Sequence, residues 1–152
     1  MLKKLIISMV FLCTVSTISY SQEKFVVSGE VKFPKKEGVI ILMLKTQKEF
    51  EKSEPVPPER KLMIKPDAQQ LKVKKVPFKF VDVPKDSYAI RCIQDLNENG
   101  EMDYKEGVWL KIPTEPYGFS GPTVVAGSAN WSDIKFEVDK DISGIEIEVR
   151  GF

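Results

Sequence analysis

The chain of 152 residues contains no histidine. That absence removes the Ser-His-Asp and Cys-His nucleophile systems, and with them the histidine-based zinc sites. Cysteine is nearly missing as well: Cys13 and Cys92 are the only two. Neither sign of charge dominates, with 23 Lys and Arg against 22 Asp and Glu for a formal net charge of +1. No nucleic acid or other strongly charged partner is implied by such a balance. A long apolar run is also lacking: Leu5 to Val15 spans 11 residues, short of the roughly 20 that a membrane-spanning helix needs.

That short apolar stretch has a context. Lys3 and Lys4 precede it, and a polar segment with small residues at Ser19 and Ser21 follows, which is the three-part layout of a secretory signal. We expect cleavage after Ser21, placing residues 1–21 in a signal peptide and residues 22–152 in one exported domain, periplasmic or secreted. Leu12 before Cys13 is not the small residue a lipid-acceptor cysteine requires, so no lipid anchor is expected. Loss of Lys3 and Lys4 changes the formal charge from +1 to −1. The exported part would keep Cys92 alone, leaving no intramolecular disulfide to form in an oxidising compartment.

The remaining chain alternates. Phe25, Val27, Gly29, Val31 and Phe33 interleave with Val26, Ser28, Glu30 and Lys32, the period of two of a half-buried strand. Val39 to Leu44 is continuously apolar, as for a central strand covered on both faces. Thr46 to Ser53 suits a helical turn or loop anchored by Phe50, and Pro55, Pro57 and Pro58 mark an exposed connection. Leu71 to Val83 reads as a strand or bent pair, with Pro77 placing it at an edge or bulge. Lysines at 61, 65, 72, 74, 75 and 79 suit edge strands that resist aggregation better than a site for anionic glycans or lipid headgroups. Tyr88, Ile90 and Cys92 define a further strand with Cys92 in the core. Val108 to Ile112, Ile134 to Val138 and Ile145 to Val149 supply three more. About seven short strands with turn signals between them predict an all-β protein, a single Ig-like or transthyretin-like antiparallel sandwich.

One segment carries chemistry. Residues 95–106 read DLNENGEMDYKE and match the calcium-loop pattern D-x-[DN]-x-[DN]-G-x5-E. Asp95, Asn97 and Asn99 alternate toward one centre, Gly100 permits the sharp turn, Glu101 offers its carbonyl, Asp103 reaches directly or through water, and Glu106 closes the shell. Hard oxygen ligands select calcium. The flanks SYAIRCIQ and GVWLKIP are not helical, so the site would be a loop grafted between strands. Asn, Asp and Gly also suit a plain strand-to-strand turn, Asn99-Gly100 above all.

Three stretches, FKFVDVPKDSYAIRCIQDLNENGEMD from Phe78, IPTEPYGFS from Ile112 and SANWSDIKFEV from Ser128, resemble a family of exported bacterial proteins known as the domain of unknown function 2141. The resemblance implies a transthyretin-like or carboxypeptidase-regulatory-like sandwich and no assigned activity. Gln94 stands where that family usually has histidine, Ser87 where it has glycine, and the stretch from Asp103 to Pro113 is longer than usual. Glu106 as a ligand therefore rests on spacing alone.

The expectation from the sequence is a non-catalytic binding or scaffold module of the cell envelope, partnered by an envelope protein or a glycan, with calcium stiffening the 95–106 loop. A carbohydrate-binding module stacking sugars on Tyr117, Phe119 and Trp131, with Trp109 nearby, is the alternative. Aromatic residues of small sandwiches serve more often as anchors. A metal-free structural sandwich and an enzyme using Asp103, Glu106 or Glu115 complete the field.

Overall fold

The computed structural model describes residues 22–35, 37–107, 111–121 and 129–151. The expected signal peptide, Val108, Trp109 and Leu110 lie outside them. Ten strands and three short α-helices run through the described residues. In chain order they are β1 Lys24–Lys32, β2 Val39–Thr46, α1 Gln47–Glu51, β3 Lys61–Ile64, α2 Ala68–Val73, β4 Lys75–Pro84, β5 Asp86–Asp95, β6 Tyr104–Glu106, β7 Lys111–Pro113, β8 Tyr117–Phe119, α3 Trp131–Ile134, β9 Phe136–Val138 and β10 Ile142–Glu148.

The strands fall into three sheets rather than one seven-stranded sandwich. One sheet has the order β10-β1-β4, the second β3-β2-β5-β8 with β9 also paired to β5, and β6 and β7 form a separate hairpin. The pairing is not wholly antiparallel, because β1 and β10 run parallel. The first two sheets share a core. Val27, Val31, Val76, Phe78, Phe80 and Ile147 come from one sheet, and Ile40, Leu42, Leu44, Ile90 and Cys92 from the other.

Period-two alternation explains which side chains enter that core. In β4, Val76, Phe78 and Phe80 are buried while Pro77 and Lys79 are exposed. Pro77 is tolerated because β4 pairs only with β1 and forms the sheet edge. In β2 both faces are covered: Ile40, Leu42 and Leu44 face the shared core, whereas Val39 and Ile41 pack outward with Ile93, Met43 and Met102.

Two segments depart from expectation. Leu71 belongs to α2, not to a strand, because Asp67 and Gln70 form a reciprocal capping box that satisfies the first-turn N–H groups. Ile134 ends α3, so the strand after it starts at Phe136. The four-residue β3, paired with β2 from Ile40↔Ile64 to Met43↔Lys61, was too short to show a period.

Candidate functional site

The 95–103 loop leaves β5 at its C-terminal end and wraps over the outer face of the five-stranded sheet. Met102 fixes it there by packing on the outward cluster of Val39, Ile41 and Ile93. Gly100 takes φ +87°, a region that favours glycine. Asp95 is fully buried, and its two oxygens accept the N–H groups of Asn99 at 3.2 Å and Gly100 at 2.7 Å. Asn97 and Asn99 each accept a backbone N–H two residues on, from Asn99 at 3.2 Å and Glu101 at 2.9 Å.

The same two amides converge on Asp103. Asn97 Nδ2 donates to its Oδ2 at 2.6 Å, and Asn99 Nδ2 to its Oδ1 at 3.0 Å. Asp95, Asn97, Asn99 and Asp103 thus form one linked set around the turn. Glu101 contributes its N–H, and its side chain is exposed. Glu106 is placed elsewhere: it ends β6, exposed and in register with Lys111. The physical reason is that the chain continues past Asp103 as a strand, whereas the motif relies on a helix to swing its twelfth residue back. Among the described residues, no three Asp, Glu, Cys or His side chains gather in metal-binding range. Any cation shell here would draw on two carboxylates, two amide oxygens and a carbonyl. The oxygens are of the kind a hard cation takes, while Asn97 and Asn99 here turn their Nδ2 donors toward Asp103.

Glu115 is the residue whose role the sequence did not reveal. It is buried, and its oxygens accept the N–H of Leu96 at 2.7 Å and of Asp103 at 3.1 Å. It therefore braces both ends of the loop.

The rest of IPTEPYGFS is equally structural. A side chain at Gly118 would meet the Glu148 carbonyl oxygen at 2.4 Å, so glycine lets β10 pass. Ser120 is buried; its hydroxyl accepts the Ile90 N–H at 2.7 Å and donates to the Ile134 carbonyl at 2.9 Å. Gln94 is also buried, donating to the carbonyls of Lys35 at 3.0 Å and Glu37 at 2.9 Å and accepting the Lys35 N–H at 3.3 Å. Those three bonds tie down the β1–β2 connection.

Tyr117, Phe119 and Trp131 do come together, through Phe50. Tyr117 and Phe119 meet edge to face at 5.9 Å and 80°, Phe119 and Phe50 at 6.0 Å and 76°, and Phe50 and Trp131 at 5.8 Å and 47°. Successive rings are inclined to one another and half-buried, and Phe50, Phe119 and Trp131 pack against Ala89 and Ile134. Edge-to-face pairs of this kind are a favoured packing arrangement of aromatic rings.

A family profile described as an uncharacterized protein conserved in bacteria (DUF2141) matches residues 22–145. The chain belongs to that family. The DUF2141 match opens at residue 22, where the expected signal peptide ends, and covers the loop, Glu115 and the aromatic row alike. No curated protein and no solved structure matches the chain.

Proposed function

We propose that this DUF2141 domain is a non-catalytic module of the bacterial cell envelope whose 95–103 loop is stiffened by calcium. The observation that carries this reading is the convergence of Asp95, Asn97, Asn99 and Asp103 around a left-handed glycine on a loop braced from below by Glu115. These four side chains and the Glu101 carbonyl would hold the ion. Calcium would supply positive charge to the two carboxylates, taking over from the asparagine amides that now offset Asp103. Glu106 plays no part in this shell.

A non-catalytic role is supported by how the carboxylates are employed. Glu115 is spent on two backbone donors, Asp103 is held by two amides, and Glu106 stands exposed on a hairpin. Export is supported by the secretory layout of residues 1–21, and no helix among the described residues is long and apolar enough to cross a membrane. A transthyretin-like or Ig-like sandwich arrangement of the two facing sheets belongs to the same proposal. Isothermal titration of residues 22–152 with calcium tests the loop assignment. Saturable binding that Asp103→Asn weakens supports it, and absence of heat up to about 10 mM calcium, well above the range for extracellular modules, refutes it.

A further inference from the structure

Two cations lie on the outer face of the five-stranded sheet without a carboxylate partner among the described residues. Met43 and Arg91 are directly opposed across β2 and β5, as are Lys45 and Ala89. Arg91 and Lys45 are therefore diagonal neighbours on one face. Lys45 is buried, and its ammonium donates to two carbonyls, Glu54 at 2.7 Å and Glu49 at 3.2 Å. The nearby carboxylates are engaged: Glu49 is bound to Arg60 and Glu54 pairs with Lys48 at 3.3 Å. Burial, and after it the charge of Arg91, depresses the Lys45 pKa.

The Arg91 guanidinium makes one side-chain hydrogen bond among the described residues. Its Nη2 donates to the Tyr104 hydroxyl at 3.2 Å, at the exposed edge of the β6–β7 hairpin, whereas its Nε is buried and has no hydrogen-bond partner among the described residues. A buried N–H of a charged group left unpaired is costly, and such a group in a folded protein calls for an explanation, a bound anion among them. Nε and Nη2 together form the side-on fork that matches a planar carboxylate. Tyr104 is 47% exposed and can be displaced by a stronger acceptor at Nη2.

We propose that Arg91, supported by Lys45, is a binding site for a carboxylate anion on the outer face of the sheet. The carboxylate takes Nε and Nη2 of Arg91, displaces the Tyr104 hydroxyl, and adds a negative charge beside two cations that form no ion pair among the described residues. A singly charged planar anion suits this site better than a tetrahedral dianion, since one fork is open and the Lys45 ammonium has already spent two of its donors.

The test follows the Arg91 Nε–Hε resonance of 15N-labelled protein during titration with sodium acetate, sodium glucuronate, sodium phosphate and, at matched ionic strength, sodium chloride. Both carboxylates are expected to shift it saturably, with chloride producing less than about a tenth of the change, since charge-assisted bidentate bonds exceed screening effects. Tighter binding of glucuronate than of acetate assigns the site to sugar acids, and equal binding assigns it to simple organic acids. Arg91→Lys, read at the Phe119 amide, should weaken either carboxylate at least about tenfold, because a point charge cannot reproduce the fork. Linear shifts equal to those of chloride, or phosphate binding tighter than both carboxylates, overturn the proposal, and the wild-type titration alone is enough to do so.

Discussion

The Glu115 carboxylate accepts the Leu96 backbone N–H at 2.7 Å across 19 residues of sequence. Its other oxygen takes the Asp103 N–H, so one buried side chain closes the loop from outside. Glu115→Ala leaves two part-buried donors unsatisfied and should cost about 2–4 kcal/mol, whereas Glu115→Gln, which keeps one acceptor, should cost about half as much. Urea denaturation of the two variants against wild type measures both. Equal stability of all three would mean that the loop closes without its brace.

Acid should act through Glu49 and Arg60. Their side chains are 13% and 14% exposed. Burial pushes the Glu49 carboxyl up, but the Arg60 guanidinium and the Thr46 N–H and hydroxyl outweigh it and leave the pKa below the ordinary value. A carboxylate depressed in the folded state adds stability that is complete above its unfolded pKa and is lost as pH falls through the folded one. Glu49→Gln should therefore lower stability by about 1–3 kcal/mol at neutral pH, between the worth of exposed and fully buried pairs. Its melting temperature should also fall less steeply than wild type below about pH 4, as linkage requires. Parallel pH profiles would contradict this role.

Cys92 should be inert while the domain is folded. It is completely buried in the shared core, and burial pushes its thiol pKa far above the usual range. Because the thiolate is the reactive form, residues 22–152 should react with a disulfide reagent at about pH 8 only after unfolding, with a rate rise of at least about 100-fold. Reaction of the native protein at the unfolded rate would place Cys92 outside the core.

Much of the sheet structure was legible because burial imposes a period. The alternation that opens at Phe25 belongs to β1, Lys24–Lys32, and the unbroken Val39 to Leu44 run reflects a strand packed on both sides, by the shared core within and by Met102 and Ile93 without. What escaped depends on distant partners. β3 is four residues that become a strand only beside β2. The parallel pairing of β10 with β1 leaves no mark on either segment alone. Glu106 satisfied a spacing rule written for a loop between helices, and a strand after Asp103 carries it away. Glu115 read as a candidate catalytic carboxylate and Gln94 as a departure from the family's usual histidine. Their meaning lies in backbone donors and acceptors far away in sequence.

The most direct measurement is a thermal melt of residues 22–152 in calcium and in chelator. A shell of two carboxylates, two amides and a carbonyl suggests affinity at the weak end of extracellular sites, about 1 mM. At about 10 mM calcium, linkage then adds about 1.4 kcal/mol, which for a domain of this size raises the melting temperature by about 4–6 °C. Magnesium at the same concentration should do much less, because it gives up its waters reluctantly and demands a tighter octahedron. A calcium-specific rise that Asp103→Asn removes is the predicted result; identical melts in calcium, magnesium and chelator would contradict it and leave the loop a turn held by its own hydrogen bonds.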